Sequence, residues 1–482
     1  MNLRRVLSIL GLVLYALAAA QLVPLVWCLW PWSPDPALGF VVGFGASALL
    51  GLGFRSLGEV EGDLYRREGV LIVVGAWLLA SLGGAIPYLA SGAVPGVVDA
   101  LFESTSGFTT TGASILVDIE KLPRPILFWR SMTQWLGGIG IVVIFVALLA
   151  ELGPGARFLF SLEVPGPKSE IFHARVRHTA LALFRIYLVL TLAQIALMLL
   201  LGTSLYDAIV HAFSTLSTGG FSPYNDSLAH FSTPVQLVVL LFMLAAGINF
   251  FVHYSLAQRR DPALLRDVEV RVYLGLFAVA SALVAFDLLW TGSATAGAAP
   301  AAFDAAFQVA SVLTTTGFAT SDFAAWPDPS RALLVALMFG GGCAGSTAGG
   351  AKIIRLLIGW RVAMREVRLT FSPNAVVAIV LGGKPVPEES VRGVVGLLLL
   401  WVLAWGVGAV LLSIGEADIV TAATASMATL SNIGPGLSAV GPTGNFAFFA
   451  DWQKLVMLLL MWLGRLEFFA VLALFQARFW RR

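Results

Sequence analysis

The stretch Asp99-ALFESTSGFTTT-Gly112 sets the reading of the whole chain. It starts with a residue able to cap a helix, runs through an apolar, helix-compatible segment, and ends in a Ser/Thr cluster against a glycine. Three further stretches repeat it: Asp207-AIVHAFSTLSTG-Gly220, Asp304-AAFQVASVLTTT-Gly317 and Thr421-AATASMATLSNI-Gly434, each with the same 13-residue step from first residue to glycine. Asp99, Asp207, Asp304 and Thr421 are expected as N-caps of four short helices. A helix of about ten residues cannot cross a bilayer, so each must dip in and return. Its C-terminal end carries the negative pole of the helix dipole and favours a cation. The glycine lets the chain turn back, and backbone carbonyls can then replace an ion's hydration shell. Non-helical backbone survives at that depth only inside protein or along a wet cavity. One such loop could be chance packing of small residues; four, each between two long apolar segments, argue for a duplicated unit.

Composition fits lipid as the solvent. Of 482 residues, 58% are apolar and only 12% charged, with mean hydropathy +0.87, far below the charge of a soluble domain. A net charge of +2 gives no electrostatic support for nucleic-acid binding. Cys28 and Cys343 sit in apolar or Gly-rich surroundings without a CxxC or histidine neighbour, so neither a disulfide framework nor a zinc site is expected. The histidines form no HxxxH or HExxH pair, and no nucleophile elbow, P-loop or GxGxxG follows a strand; nothing argues for an enzyme. The basic start and Ala-rich end of residues 1–22 imitate a signal peptide. The apolar run continues to Trp30, however, which favours an uncleaved first helix.

Ten spanning segments are expected: 3–30, 37–55, 68–91, 124–150, 179–201, 233–257, 270–291, 330–364, 391–413 and 452–476, the eighth interrupted by glycines. With the N-terminus inside, 23 of the 30 Lys and Arg residues fall on the inner side. Five fall outside (Lys121, Arg124, Arg130, Arg331 and Lys454), and Arg185 and Arg465 lie within helices. That bias places both termini in the cytoplasm. The expected architecture is an all-α membrane protein: two extra N-terminal helices in 1–60, then four helix–pore-loop–helix repeats in 61–155, 156–262, 263–385 and 386–482. Trp30, Trp32, Trp129, Trp452, Trp462 and Trp480 are read mostly as interfacial anchors.

FTTTGAS (108–114), LSTGGFS (216–222), LTTTGFA (313–319) and NIGPG (432–436) resemble the four pore loops of the TrkH/TrkG/KtrB superfamily of potassium transporters. RREGVLIVV (66–74), WRSMTQWLGGIGIVV (129–143), GGCAGSTAGGAK (341–352) and GRLEFF (464–469) extend the likeness over nearly the whole chain, and the two extra N-terminal helices match the TrkH branch. The resemblance implies potassium uptake through a pseudo-fourfold pore in a bacterial inner membrane. It further implies a homodimer, a cytoplasmic nucleotide-binding regulatory ring of the TrkA kind, potassium as the transported ion, and no organic cofactor on this chain. It places a selectivity filter at Thr110, Thr111, Gly112 and Ala113, and at Ser217, Thr218, Gly219 and Gly220. The other two quarters fall at Thr315, Thr316, Gly317 and Phe318, and at Asn432, Ile433, Gly434 and Pro435. In related plant transporters a Ser at the first filter glycine goes with sodium; here that residue is Gly112, which points to potassium.

The run Gly340, Gly341, Gly342, Cys343, Ala344, Gly345, Ser346, Thr347, Ala348, Gly349, Gly350 breaks the eighth span. Close helix packing would explain it; the resemblance implies instead a mobile loop that blocks the pore, with Lys352 linking it to cytoplasmic control. Arg465 lies within the last span, where a buried Arg usually faces the interior or a cavity. A barrier to cations is the expected role, a structural pair with Glu103 or a carbonyl the alternative, and Glu467 is expected on another face of the same helix. Glu103 could attract cations or pair with Arg130. Residues 352–392 are basic and could dock a partner or anionic lipid. The sequence leaves open channel-like conduction against proton- or sodium-coupled symport. An organic-solute transporter, whose repeats would be inverted, and a non-conducting assembly protein are the more distant alternatives.

Overall fold

The computed structural model describes residues 1–29, 32–59, 65–151, 172–259, 267–293, 297–415 and 417–480. Trp30, Arg157, Lys168, Arg260, Arg266, Arg481 and Arg482 lie outside the described residues, as do the repeat boundaries at 60–61, 155–156 and 262–263 and the side chains of Arg66, Arg175, Arg177 and Arg259.

The described residues are mostly helical, and one order of elements recurs. Leu3–Leu22, continued by Leu25–Cys28, packs against Pro34–Leu57. Glycine makes that approach close: a β-carbon built on Gly11 would lie 2.9 Å from the carbonyl oxygen of Gly51. Then a long helix, a short helix and a second long helix follow one another four times. The short helices are Val97–Phe108, Leu205–Leu216, Ala298–Leu313 and Ile419–Leu430. The helices before them are Arg66–Ala90, Phe172–Leu200, Val268–Trp290 and Glu388–Leu412. The helices after them start at Arg124, Thr233, Asp328 and Asp451.

Burial is inside out relative to a soluble protein. The short helices are the most enclosed elements, and polar residues on them (Ser104, Thr105, Ser106, Ser214, Thr215, Ser311 and Thr429) are fully buried. The flanking helices expose large apolar side chains such as Leu399, Val410 and Phe286. Among the described residues six helices are long and apolar enough to cross a membrane, seven when one bent pair counts as a single span. This is a multi-pass membrane protein.

Three of the four returning helices are broken, where continuity was expected for two of them. The helix at 233–257 ends at Ala246 and resumes at Phe250 after a 98° bend. The one at 452–476 ends at Arg465 and resumes at Phe469, with Glu467 and Phe468 both left-handed at φ 56° and 53°. The eighth span breaks at Gly341–Lys352, within the glycine run; Gly340 itself is the last residue of Asp328–Gly340. A two-residue hairpin, Val380–Leu381 against Lys384–Pro385, departs from the all-helical expectation. Gly382 and Gly383, at φ 54° and 79°, supply the tight turn. Trp129 is not an interfacial anchor: it is fully buried and donates its indole N–H to the Gly84 carbonyl at 3.0 Å.

Candidate functional site

All four short helices end in the same way. Thr111, Gly219, Thr316 and Ile433 donate their amides five residues back, to Ser106, Ser214, Ser311 and Ala428, at 2.8–2.9 Å. The residues before them, Thr110, Thr218, Thr315 and Asn432, bond three residues back and hold left-handed φ of 52–57°. This is a Schellman cap, built four times on a side chain where glycine is usual. Two residues later Gly112, Gly220, Gly317 and Gly434 are left-handed again, at φ 80°, 76°, 83° and 99°.

The repeated cap corrects the expected frame of the second loop. Its counterpart of Thr110 is Thr218, so the equivalent quartet is Thr218, Gly219, Gly220 and Phe221. Ser217 is instead a helix C-cap, as are Thr109, Thr314 and Ser431. The expected N-caps also move. The caps are Gly96, Ser204, Gly297 and Asp418. Asp99, Asp207 and Thr421 stand three residues further, in the first turn, and Asp304 lies inside its helix. A carboxylate in the first turn complements the helix N-terminus as a cap does, which is why the sequence reads alike for both.

The four glycines meet their neighbours in cyclic order. A β-carbon on Gly112 would lie 2.2 Å from the Gly219 carbonyl oxygen, one on Gly220 1.9 Å from that of Thr316, and one on Gly317 2.0 Å from that of Ile433. One on Gly434 would lie 2.9 Å from that of Thr111, closing the ring. Asn432 Nδ2 donates across the same seam to Thr111 Oγ1 at 2.9 Å. Ala113, Phe318 and Ile433 turn their side chains into the surrounding core, and Pro435 packs beside Gly317. At each of the four glycine approaches the facing atom is a backbone oxygen. Among the described residues no group of three or more His, Cys, Asp or Glu could hold a metal ion. Four helix C-termini ending at one ring make that point favourable for a cation without any carboxylate.

The glycine run 341–352 lies against the ends of three of these helices. Thr347 Oγ1 donates to the Leu216 carbonyl at 2.9 Å, and the Gly349 amide donates to Thr315 Oγ1 at 2.7 Å. A β-carbon on Gly349 would lie 2.1 Å from the Ser431 carbonyl oxygen. The run is held from the side by the bend of the sixth span: Cys343 donates to the Gly247 carbonyl and Phe250 to that of Gly345. Glu269 accepts from the amides of Ala344, within the run, and Ile354, just after it, at 2.8 and 3.0 Å. Lys352, left-handed at φ 73°, turns its ammonium back onto the Ala348 carbonyl.

Arg465 ends its helix beside this run. Nη1 donates to the Thr347 carbonyl at 2.7 Å, and Nε and Nη2 have no hydrogen-bond partner among the described residues. Glu103 is not its partner; Glu103 pairs with Arg130 at 2.7 Å, both fully buried, and also accepts from Ser114 and Ile115. Glu467 is not on a continuing helix either: it pairs with Arg355 at 2.6 Å. Gln134 escaped the sequence reading. It donates to the Gly219 carbonyl at 2.6 Å and accepts from the Phe221 amide at 3.1 Å. A lone glutamine in a spanning apolar segment was the available signal.

Residues 44–482 match the family described as TrkH, cation transport protein. The chain is 39% identical to the Trk system potassium uptake protein TrkH of Salmonella typhimurium over 87% of each chain. It is 37% identical to the protein of that name in Halomonas elongata over the full length of both. The crystal structure of the potassium transporter TrkH from Vibrio parahaemolyticus superposes with a TM-score of 0.90 over the whole of both chains, at 34% identity.

Proposed function

The chain belongs to the TrkH family of cation transport proteins and is a potassium uptake protein, not an enzyme, and we propose that potassium crosses through the ring formed by the four loops. The observation that carries this reading is the cyclic approach of Gly112, Gly220, Gly317 and Gly434 to the carbonyls of the adjoining loops. Backbone oxygens and helix C-termini converge there, and both favour a bare cation.

In this reading the filter comprises residues 110–113, 218–221, 315–318 and 432–435, one quarter from each repeat in a pseudo-fourfold arrangement, with ten crossings in all. The fourfold recurrence of the Schellman cap supports it. Both termini face the cytoplasm of a bacterial cell, across the inner membrane, on the strength of the Lys and Arg bias. An inside-negative potential then draws each potassium ion inward with ~2.3 kcal/mol per 100 mV. The run 341–352 is the gate. Its bonds to Leu216 and Thr315 favour an obstruction directly under the ring, and Arg465 adds a positive barrier beside it. A second copy of the chain and a cytoplasmic nucleotide-binding ring are the partners this reading takes from the family, the ring acting on the gate from below. Uptake of radioactive rubidium into proteoliposomes, competed by potassium or sodium, tests it. Potassium-preferring flux is expected; flux that neither ion competes, or none with or without the partner, overturns it.

A further inference from the structure

One level of the ring is asymmetric. The carbonyls of Thr111, Gly219, Thr316 and Ile433 are equivalent by the repeated cap, yet among the described residues only that of Gly219 accepts a hydrogen bond, from Gln134. Gln134 is fully buried on Arg124–Glu151, and its amide spans the second loop from the Gly219 oxygen to the Phe221 nitrogen. One turn earlier on the same face, Arg130 donates to the Ser222 carbonyl at 3.2 Å and lies 4.0 Å over the Phe221 ring. The fourth repeat has no such bracket. Gly137 and Gly464 correspond, because a β-carbon on either would strike the last carbonyl of its own short helix, Phe108 or Leu430, at 1.9 and 1.8 Å. Three residues before them stand Gln134 and Met461. At Met461 it is the backbone carbonyl that takes part, accepting from Asn432.

We propose that Gln134 is a specificity-determining positioning residue, which fixes the Gly219 carbonyl so that this quarter of the ring cannot close onto an ion smaller than potassium. The inference rests on the potassium path proposed above. A carbonyl has two lone pairs, so one can accept from Gln134 while the other faces an ion. With both ends of the second loop's turn tied to one rigid amide, the oxygen cannot move inward to the shorter distance sodium requires. Selectivity by carbonyls depends on such spacing or on the stiffness that maintains it.

The test compares Gln134→Met, which introduces the side chain found at the equivalent position of the fourth repeat, with Gln453→Met. Gln453 is a buried amide of the same kind, bonded to the carbonyls of Leu412 and Ile414 at 3.0 Å and remote from the ring. Rubidium uptake by the full-length protein in proteoliposomes is competed with potassium chloride and with sodium chloride. Gln134→Met is expected to lower the preference for potassium over sodium about tenfold, the factor carried by one buried hydrogen bond. Gln453→Met should leave the preference unchanged. An unchanged preference in Gln134→Met, or an equal fall in Gln453→Met, overturns the proposal. Should Gln134→Met carry no rubidium, the melting temperatures of the purified protein in the two salts decide: loss of the wild-type difference supports the assignment, its retention overturns it. A wild type without potassium-preferring flux would sink the underlying path, and the inference with it.

Discussion

Gly220→Ala puts the ring to its most direct test. Gly220 sits at φ 76°, and a β-carbon there would lie 1.9 Å from the Thr316 carbonyl oxygen. Contacts of that kind under 3.0 Å are essentially never found, so the oxygen or the glycine must retreat by about 1.1 Å. Neither is free to do so. Thr316 is pinned by its amide bond to Ser311 at 2.9 Å, and Gly220 by its own amide bond to Ser214 at 3.3 Å. Alanine in a left-handed conformation costs about 1–2 kcal/mol before any clash is counted. A loss of 1.4 kcal/mol in ion stabilisation is about tenfold in occupancy, so a fall in rubidium uptake of at least about tenfold is expected. Gly406→Ala is the matched control. Gly406 lies in the helix Glu388–Leu412 with nothing within 4 Å of its added β-carbon. There alanine should add about 0.5–1 kcal/mol of stability and leave uptake alone. Uptake by Gly220→Ala at the Gly406→Ala rate, with unchanged competition by sodium, would falsify the placement of the path through these loops.

Three further substitutions probe the supports of that path. Arg465→Met removes the donor to the Thr347 carbonyl and a buried positive charge, so rubidium uptake without any partner should rise; a rate at or below wild type argues against the barrier. Arg130→Met strands the Glu103 carboxylate, and melting in detergent should show a loss of about 3–5 kcal/mol, largely restored by adding Glu103→Gln. If the single substitution melts like wild type, the pair is not what anchors the first loop to the second. Asp418→Ala removes the cap of Ile419–Leu430 and should cost about 1 kcal/mol. Hydrogen bonds from the hydroxyl and amide of Thr421 hold the Asp418 carboxyl below its ordinary value of 3.8. Its contribution is therefore complete above that value and disappears as pH falls through the depressed one. The gap in melting temperature between wild type and Asp418→Ala should close only in strong acid; a gap that closes near neutrality would show that another group is responsible.

The loops were legible because their backbone demands leave few choices. A left-handed residue two positions after a Schellman cap selects glycine, so Gly112, Gly220, Gly317 and Gly434 recur in register. The frame of the second loop was not, because Gly219 and Gly220 together offer two alignments, and the left-handed φ of Thr218 and Gly220 decides between them. The breaks in the returning helices divide in the same manner. Gly341, Gly345 and Gly350 are left-handed and mark theirs in composition. The bend at 247–249 (Gly-Ile-Asn) and the break at 466–468 (Leu-Glu-Phe) lie beside isolated polar residues, without a glycine run to mark them. They are imposed by partners far along the chain: Gly345 for Phe250, and Arg355 for Glu467. Helix propensity is a weak prior that such contacts override.

In the reading proposed above, further contacts of the run 341–352 join gate and ring into one mechanical unit. Thr347 holds the C-terminal carbonyl of the second short helix with its hydroxyl and receives Arg465 on its own carbonyl. Gly349 holds Thr315, a residue of the ring itself, and abuts the carbonyl at the end of the fourth short helix. Withdrawing the run 341–352 along its path therefore cannot leave the ring unaltered. The hydroxyl of Thr315 loses its donor, and the Leu216 carbonyl loses the Thr347 hydroxyl. Both changes make the space below the ring more favourable to a cation at the moment the obstruction leaves. Glu269 opposes the movement by accepting from Ala344 inside the run and Ile354 just after it, and the Arg355–Glu467 pair ties the helix that follows it to the broken end of the last span. A regulator acting on that helix would work against two carboxylate contacts, a buried one at Glu269 and a part-exposed one at Glu467, each worth more than a neutral hydrogen bond. In that proposed reading, a binding event on one side would be converted into opening on the other through these contacts.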